Sequence, residues 1–224
     1  MDVQSLLPQL LAVAIIILVG FPVHEFSHAW AAYRLGDSTA RYQGRLTLDP
    51  RAHFDPLGGV ILIASALFFR FFIGWAKPTP VNPYNLQFGR RGEALVALAG
   101  PVSNLVMAAA VAIPVRLIWS DPALLSSMVA SLPLAVLYNV CFFFVVINAF
   151  LFIFNLLPIP PLDGWKVLTG VVDARLAYSL RQVEQYALLL LFALILVGGP
   201  VIRVLGGTLI ELFVADASAV PLPL

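Results

Sequence analysis

Charge is scarce in this chain. Lys and Arg together number 13 and Asp and Glu 12 among 224 residues, so charged side chains make up 11%, less than half of the roughly 25% usual in soluble domains. That scarcity excludes an ordinary water-soluble fold, and a net charge of +1 leaves no basic surface for nucleic acid. Cysteine is almost absent as well. Cys141 stands alone, so it forms no internal disulfide and gives no clue to redox compartment. Within Val140-Cys141-Phe142-Phe143-Phe144 it suits apolar packing. The first thirty residues lack a basic n-region, which argues for a retained span rather than a cleaved signal. Internal repeats, low-complexity segments and a soluble domain of any size are all missing, and residues 1–224 are expected to form one domain.

What the chain has in abundance is apolar surface: 61% hydrophobic residues and a mean hydropathy of +0.95. The expectation is an α-helical integral membrane protein living in a lipid bilayer. About four full transmembrane helices are expected near 6–32, 93–118, 133–157 and 183–204, each close to or above the roughly 20 residues needed to cross. The apolar segment at about 58–76 contains Arg70 and is followed by Lys77, Arg90 and Arg91. A full crossing would carry those cations to the other face, so a re-entrant segment is expected there. Asp2 precedes the first span, whereas Arg34, Arg41, Arg45 and Arg51 follow it, which places both termini outside and the first loop in the cytoplasm. Residues 40–50 alternate weakly and contain Thr, Tyr and Leu. They read as a short membrane-associated β region whose edge could pair with an extended peptide, as could the extended segment near Val81.

Histidine is scarce too, yet two of the three histidines fall in His24-Glu25-Phe26-Ser27-His28, inside the first span. Side chains four apart on a helix differ by about 40° in azimuth, so both imidazoles can turn toward one metal ion, and zinc suits that pair. Glu25 lies on the flank of that face, where it can take a proton from an activated water and pass it to a leaving amine. Ionisable groups at membrane depth are costly unless paired or functional. Pro22 is expected to bend the helix just before the pentad.

The third span ends in Asn155-Leu156-Leu157-Pro158-Ile159-Pro160-Pro161-Leu162-Asp163-Gly164. Three prolines in four residues cannot continue a helix, so the backbone unwinds at the membrane boundary. Asp163 is then either the third ligand that a catalytic zinc needs or the N-cap of a following helix. Asn155 either steadies a developing oxyanion or ties down the broken backbone. In the second span, Asn104 of Gly100-Pro101-Val102-Ser103-Asn104 is either packing glue between helices or part of the site. His53 is either a third imidazole near the metal or, as favoured, a surface-loop histidine hydrogen-bonded to Asp55.

Taken together, His24-Glu25-x-x-His28, Gly100-Pro101-x-x-Asn104 and Asn155-x-x-Pro158-x-Pro160-x-Leu162-Asp163-Gly164 resemble the site-2 protease family of intramembrane zinc metalloproteases. Gly74-Trp75-Ala76-Lys77-Pro78-Thr79-Pro80-Val81-Asn82-Pro83 is most similar to the small bacterial and archaeal members without PDZ or CBS domains. The resemblance implies one Zn2+ per chain held by His24, His28 and Asp163, with Glu25 activating water and Asn155 near the substrate. It also implies single-span membrane proteins as substrates, cut in or beside their spans, and a bacterial or archaeal cell membrane as the location. A membrane zinc-binding protein or transporter-like scaffold without peptidase activity would keep the ligands but have no need of Glu25.

Overall fold

The computed structural model describes residues 3–61 and 75–197, together with Gly207, Thr208, Glu211 and Phe213. Its elements run α1 (Val3–Ile15), a π-helical turn (Ile16–Gly20), α2 (Phe21–Arg34), the single turns α3 (Thr39–Tyr42) and α4 (Pro50–His53), then α5 (Arg90–Ser120), α6 (Pro122–Ala130), α7 (Leu132–Leu156), α8 (Asp163–Val171), α9 (Ala174–Arg181) and α10 (Ala187–Val197). Among the described residues three helical stretches are long and apolar enough to cross a membrane: Leu10–Arg34, Arg90–Ser120 and Leu132–Leu156. They coincide with the first three expected spans, and the protein is a multi-pass helical membrane protein. Of the fourth expected span, α10 is described over 11 residues, while residues 198–204 lie outside the described residues. The expected re-entrant segment at 58–76 also falls largely outside them, at 62–74; residues 56–61 just before it are helical.

The structure corrects the expectation for residues 40–50. No strand occurs among the described residues, and this stretch instead carries the helical turn Thr39–Tyr42 followed by bends. Local side-chain chemistry explains the difference. The Asp37 carboxylate accepts from the Thr39 N–H, and Asp49 caps α4 by accepting from Arg51 N–H with Pro50 in the first turn. Such bonds favour turns over a ladder, and they outweigh a weak alternation. The segment near Val81 is irregular rather than helical, but it is a poor pairing edge. Pro78 and Pro80 have no N–H, and the N–H groups of Lys77, Thr79 and Asn82 are already bonded within the protein.

Helix α5 is the centre of the bundle, packing against α2, α7 and α8. Its small residues at four-residue spacing, Ala108 and Ala112, let α7 approach closely, and Tyr138, Phe142, Val145 and Ala149 of α7 close over them with Val115. The same stripe continues one turn and two turns earlier as Asn104 and Gly100, both buried, and there it faces α2. Pro22 of α2 is fully buried. Its missing N–H is accommodated by the π-helical turn just before it, where Phe21 N–H reaches back to the Ile16 carbonyl. The expected bend is thus a local change of helical pitch, a feature often found beside functional residues.

Candidate metal centre

Helix α2 turns His24 and His28 inward, and both are buried. Helix α7 stops at Leu156, and after the proline-rich break α8 begins at Asp163. Asp163 is the first residue of that helix rather than its cap; Leu162 occupies the cap position. The Asp163 carboxylate instead reaches the imidazoles, with Oδ2 3.2 Å from His24 Nε2 and 3.3 Å from His28 Nε2, and the positive end of the helix dipole favours its charge. The two Nε2 atoms are 3.1 Å apart.

This triangle suits a zinc ion better than it suits hydrogen bonding alone. With zinc–ligand bonds of about 2.0–2.2 Å, tetrahedral donors lie about 3.3–3.6 Å apart, and the three separations found, 3.1, 3.2 and 3.3 Å, lie at or just below the short end of that range. Without a cation, both imidazoles would have to donate Nε2–H to one oxygen while their nitrogens face each other at 3.1 Å, an arrangement of opposed donors. The other ring nitrogens point the same way. His28 Nδ1 lies 2.8 Å from the Val96 carbonyl, which can only accept, so Nδ1 carries the hydrogen and Nε2 keeps its lone pair.

Asn104 completes the argument for His24. Its side-chain amide lies 3.1 Å from His24 Nδ1, with the nitrogen end toward the ring, while Oδ1 is buried without a partner. The two ends of an asparagine amide are nearly the same size. Turned end for end, Oδ1 gains the Nδ1–H of His24 as its donor, and His24 Nε2 becomes a free ligand. The carbonyl end then accepts from the tautomer that metal binding requires, with the amide nitrogen turned to the place Oδ1 held, and the donor set of two imidazoles and a carboxylate fits the metal.

Gly100, which the sequence marks only as part of the Gly100-Pro101-x-x-Asn104 pattern, sits at the centre of the site. A Cβ there would lie 2.6 Å from His24 Nε2 and closer still to His28 Nε2, so only glycine lets α5 pass the ligand atoms. Thr79 also belongs to the site. Its N–H and hydroxyl each lie 2.8 Å from Glu25 Oε2. In the sequence its one signal is its place in the Gly74–Pro83 stretch that resembles the small family members. His53 stands apart from the metal-binding group. Nor is it the expected surface-loop histidine bonded to Asp55: it is the buried last residue of α4, its Nε2 bonds the Thr47 carbonyl, and Asp55 accepts from Gly58 N–H instead. Asn155 donates its amide to the Leu151 carbonyl one turn back.

Comparison with known proteins agrees with this geometry. The model of peptidase family M50 matches residues 11–198, which includes every residue of the triangle. The chain belongs to peptidase family M50, the site-2 protease family. It is a metallopeptidase, and zinc is the metal the family uses. Two curated relatives carry the name "Putative zinc metalloprotease". YwhC of Bacillus subtilis is 37% identical over 190 residues, covering 85% of this chain and 81% of YwhC. Rip2 of Mycobacterium tuberculosis is 32% identical over 191 residues, 80% of this chain. The match spans 64% of Rip2, just under two thirds of its length. No solved structure gives a significant match.

Proposed function

We propose that this M50 peptidase is an intramembrane endopeptidase, one domain across the described spans, that cuts peptide bonds in or beside the transmembrane segment of single-span membrane proteins. The observation that carries the reading is the His24–His28–Asp163 triangle built from the inner face of a crossing helix and the unwound end of another. His28 lies six residues before Arg34, where the crossing stretch ends, or about 9 Å along the helix axis. The site is therefore inside the membrane but near one surface. With both termini outside, as the distribution of arginines indicates, that surface is cytoplasmic.

His24, His28 and Asp163 would hold the zinc, each by one atom, with a further position open for water or substrate. Zinc bound there supplies Lewis-acid polarisation of a water and of the scissile carbonyl. Val96 and Asn104 hold the two imidazoles in the tautomer that presents Nε2. Glu25, next in sequence to the first ligand, receives the proton of the attacking water on its carboxylate and delivers it to the nitrogen of the leaving amine. Asn104 is therefore assigned to positioning His24 rather than to the oxyanion. Asn155 is assigned to the end of α7 rather than to the oxyanion, because its amide donates to the Leu151 carbonyl one turn back in that helix.

Comparing a single-span substrate with a soluble peptide of the same cleavage sequence tests the reading. Zinc-loaded protein in lipid is expected to cut the former at least about tenfold faster, because binding of the span concentrates the scissile bond at the site, and to stop when zinc is removed. Equal rates on both would refute the membrane-substrate assignment.

A further inference from the structure

Glu25 does not stand free beside the imidazoles. Thr79 bonds its Oε2 twice, through the backbone N–H at 2.8 Å and the hydroxyl at 2.8 Å. The same hydroxyl lies 3.0 Å from the Glu25 backbone carbonyl. One hydroxyl carries one hydrogen, and of the two acceptors the charged carboxylate is the stronger and the nearer. Among the described residues no hydrogen bond reaches Oε1. One oxygen of the carboxylate is thus anchored and the other is left to accept a proton.

The segment that carries Thr79 is itself pinned on both sides. Before it, Lys77 N–H bonds the His53 carbonyl at 2.8 Å, and the Arg45 guanidinium reaches the Pro78 carbonyl at 3.4 Å. After it, the buried Asp37 carboxylate receives Asn82 N–H at 2.7 Å and the Asn85 amide at 3.1 Å. Asp37 lies three residues past the end of α2, and its own N–H bonds the Ala32 carbonyl of that helix at 2.9 Å. Gln87 N–H also bonds the Leu35 carbonyl at 2.8 Å. The arm is therefore tied to the helix whose side chain it holds. Pro78, Pro80 and Pro83 restrict both their own backbones and those of the preceding residues, so Thr79 is presented with little conformational freedom.

We propose that Thr79 is a positioning residue for the peptidase reaction: the proline-stiffened arm 77–83 fixes the Glu25 carboxylate through Oε2 and leaves Oε1 for the proton. This rests on the reading of Glu25 as the general base. A carboxylate held in one orientation avoids the search among rotamers that a free glutamate makes at each turnover, which is the advantage of preorganised catalytic groups.

The test uses the full chain, zinc-loaded, with a single-span substrate, and reads zinc content, kcat and KM together. Thr79→Val keeps the shape but removes the hydroxyl. Its kcat is expected to fall about tenfold, with KM within about twofold of wild type and zinc stoichiometric. Thr79→Ala, which adds no bulk, is expected to show the same loss should valine disturb folding, and Thr79→Ser is expected to restore most of the rate. In a Glu25→Gln background, Thr79→Val is expected to change the residual rate by less than about twofold, since the two residues act as one unit. Wild-type kcat in both Thr79→Val and Thr79→Ala, a serine variant as slow as valine, or an undiminished loss in the Glu25→Gln background would each overturn the inference. An inactive Glu25→Gln beside a normal Thr79→Val overturns this inference alone. A fully active Glu25→Gln overturns the general-base reading and the inference with it.

Discussion

Adding a single methyl group at Gly100 is expected to empty the metal site without unfolding the protein. A Cβ there stands 2.6 Å from His24 Nε2, whereas ordinary contact begins at 3.4 Å, so that imidazole must retreat by about 0.8 Å or the helix must shift. His28 Nε2 is crowded more severely still. Metal sites tolerate ligand displacements of only about 0.2 Å, and losing even an outer hydrogen bond to a ligand costs about 10- to 100-fold in metal affinity. Gly100→Ala is therefore expected to weaken zinc binding by at least about a hundredfold. Helix propensity works in the opposite direction, since alanine is favoured over glycine in a helix interior by about 0.8–1.0 kcal/mol. Zinc partition against a chelator of known affinity, run beside circular dichroism and thermal unfolding of the metal-free protein, separates the two effects. A Gly100→Ala protein that keeps helical content and loses zinc fits the geometry described. One that retains zinc with wild-type affinity would refute the placement of α5 against the ligands.

Other expectations follow from the same contacts. Asn104→Leu, which cannot accept from His24 Nδ1–H, is expected to bind zinc about 10- to 100-fold more weakly, whereas Asn104→Asp keeps an acceptor and loses far less; equal affinities in the two would remove Asn104 from the site. Gly164→Ala brings a Cβ to 2.5 Å from the Leu157 carbonyl and into the Leu156 carbonyl, so it is expected to displace Asp163 and lower zinc occupancy, as metal analysis of the purified variant would show. Burial opposes ionisation of Asp37, but donors from Thr39, Asn82 and Asn85 prevail and lower its pKa. Its stabilising effect is accordingly present above the ordinary carboxylate range and lost as pH falls through the lowered value, and Asp37→Asn is expected to speed amide hydrogen exchange at Asn82 at neutral pH. For topology, cysteines at Ser38, Gln87 and Ser179 are expected to label from the cytoplasmic face and those at Ser126 and Ser218 from the other; Gln87 labelling from the face opposite Ser38 would contradict the re-entrant expectation.

The parts of the site that could be read directly were those whose logic is local. His24 and His28 are one helical turn apart, so their spacing alone brings them to one face. The prolines at 158, 160 and 161 mark a break that frees Asp163 to leave the helix axis, although nothing local distinguishes a ligand from an N-cap there. Three spans were legible from length and apolarity. The contacts that decide the rest join residues distant in sequence. Gly100 meets histidines more than seventy positions away, Asn104 is eighty from His24, and Thr79 is fifty-four from Glu25. Periodicity is silent about such pairs. The expected β region failed for the opposite reason, because Asp37, Asp49 and Pro50 supply local turn and cap chemistry stronger than a faint alternation.

The most direct test of the central claim compares Glu25→Gln with Asp163→Asn, measuring zinc content and cleavage of a single-span substrate in parallel. Glutamine matches glutamate in size but cannot take the proton, and general-base assistance is typically worth 10²- to 10⁴-fold. Glu25→Gln is expected to keep stoichiometric zinc while cleavage falls at least about a hundredfold. Asp163→Asn is expected to lose zinc and activity together, because an amide oxygen is a weaker ligand than a carboxylate. Zinc-loaded Glu25→Gln cleaving at a near-normal rate would contradict the account, since the carboxylate beside the metal would then be structural.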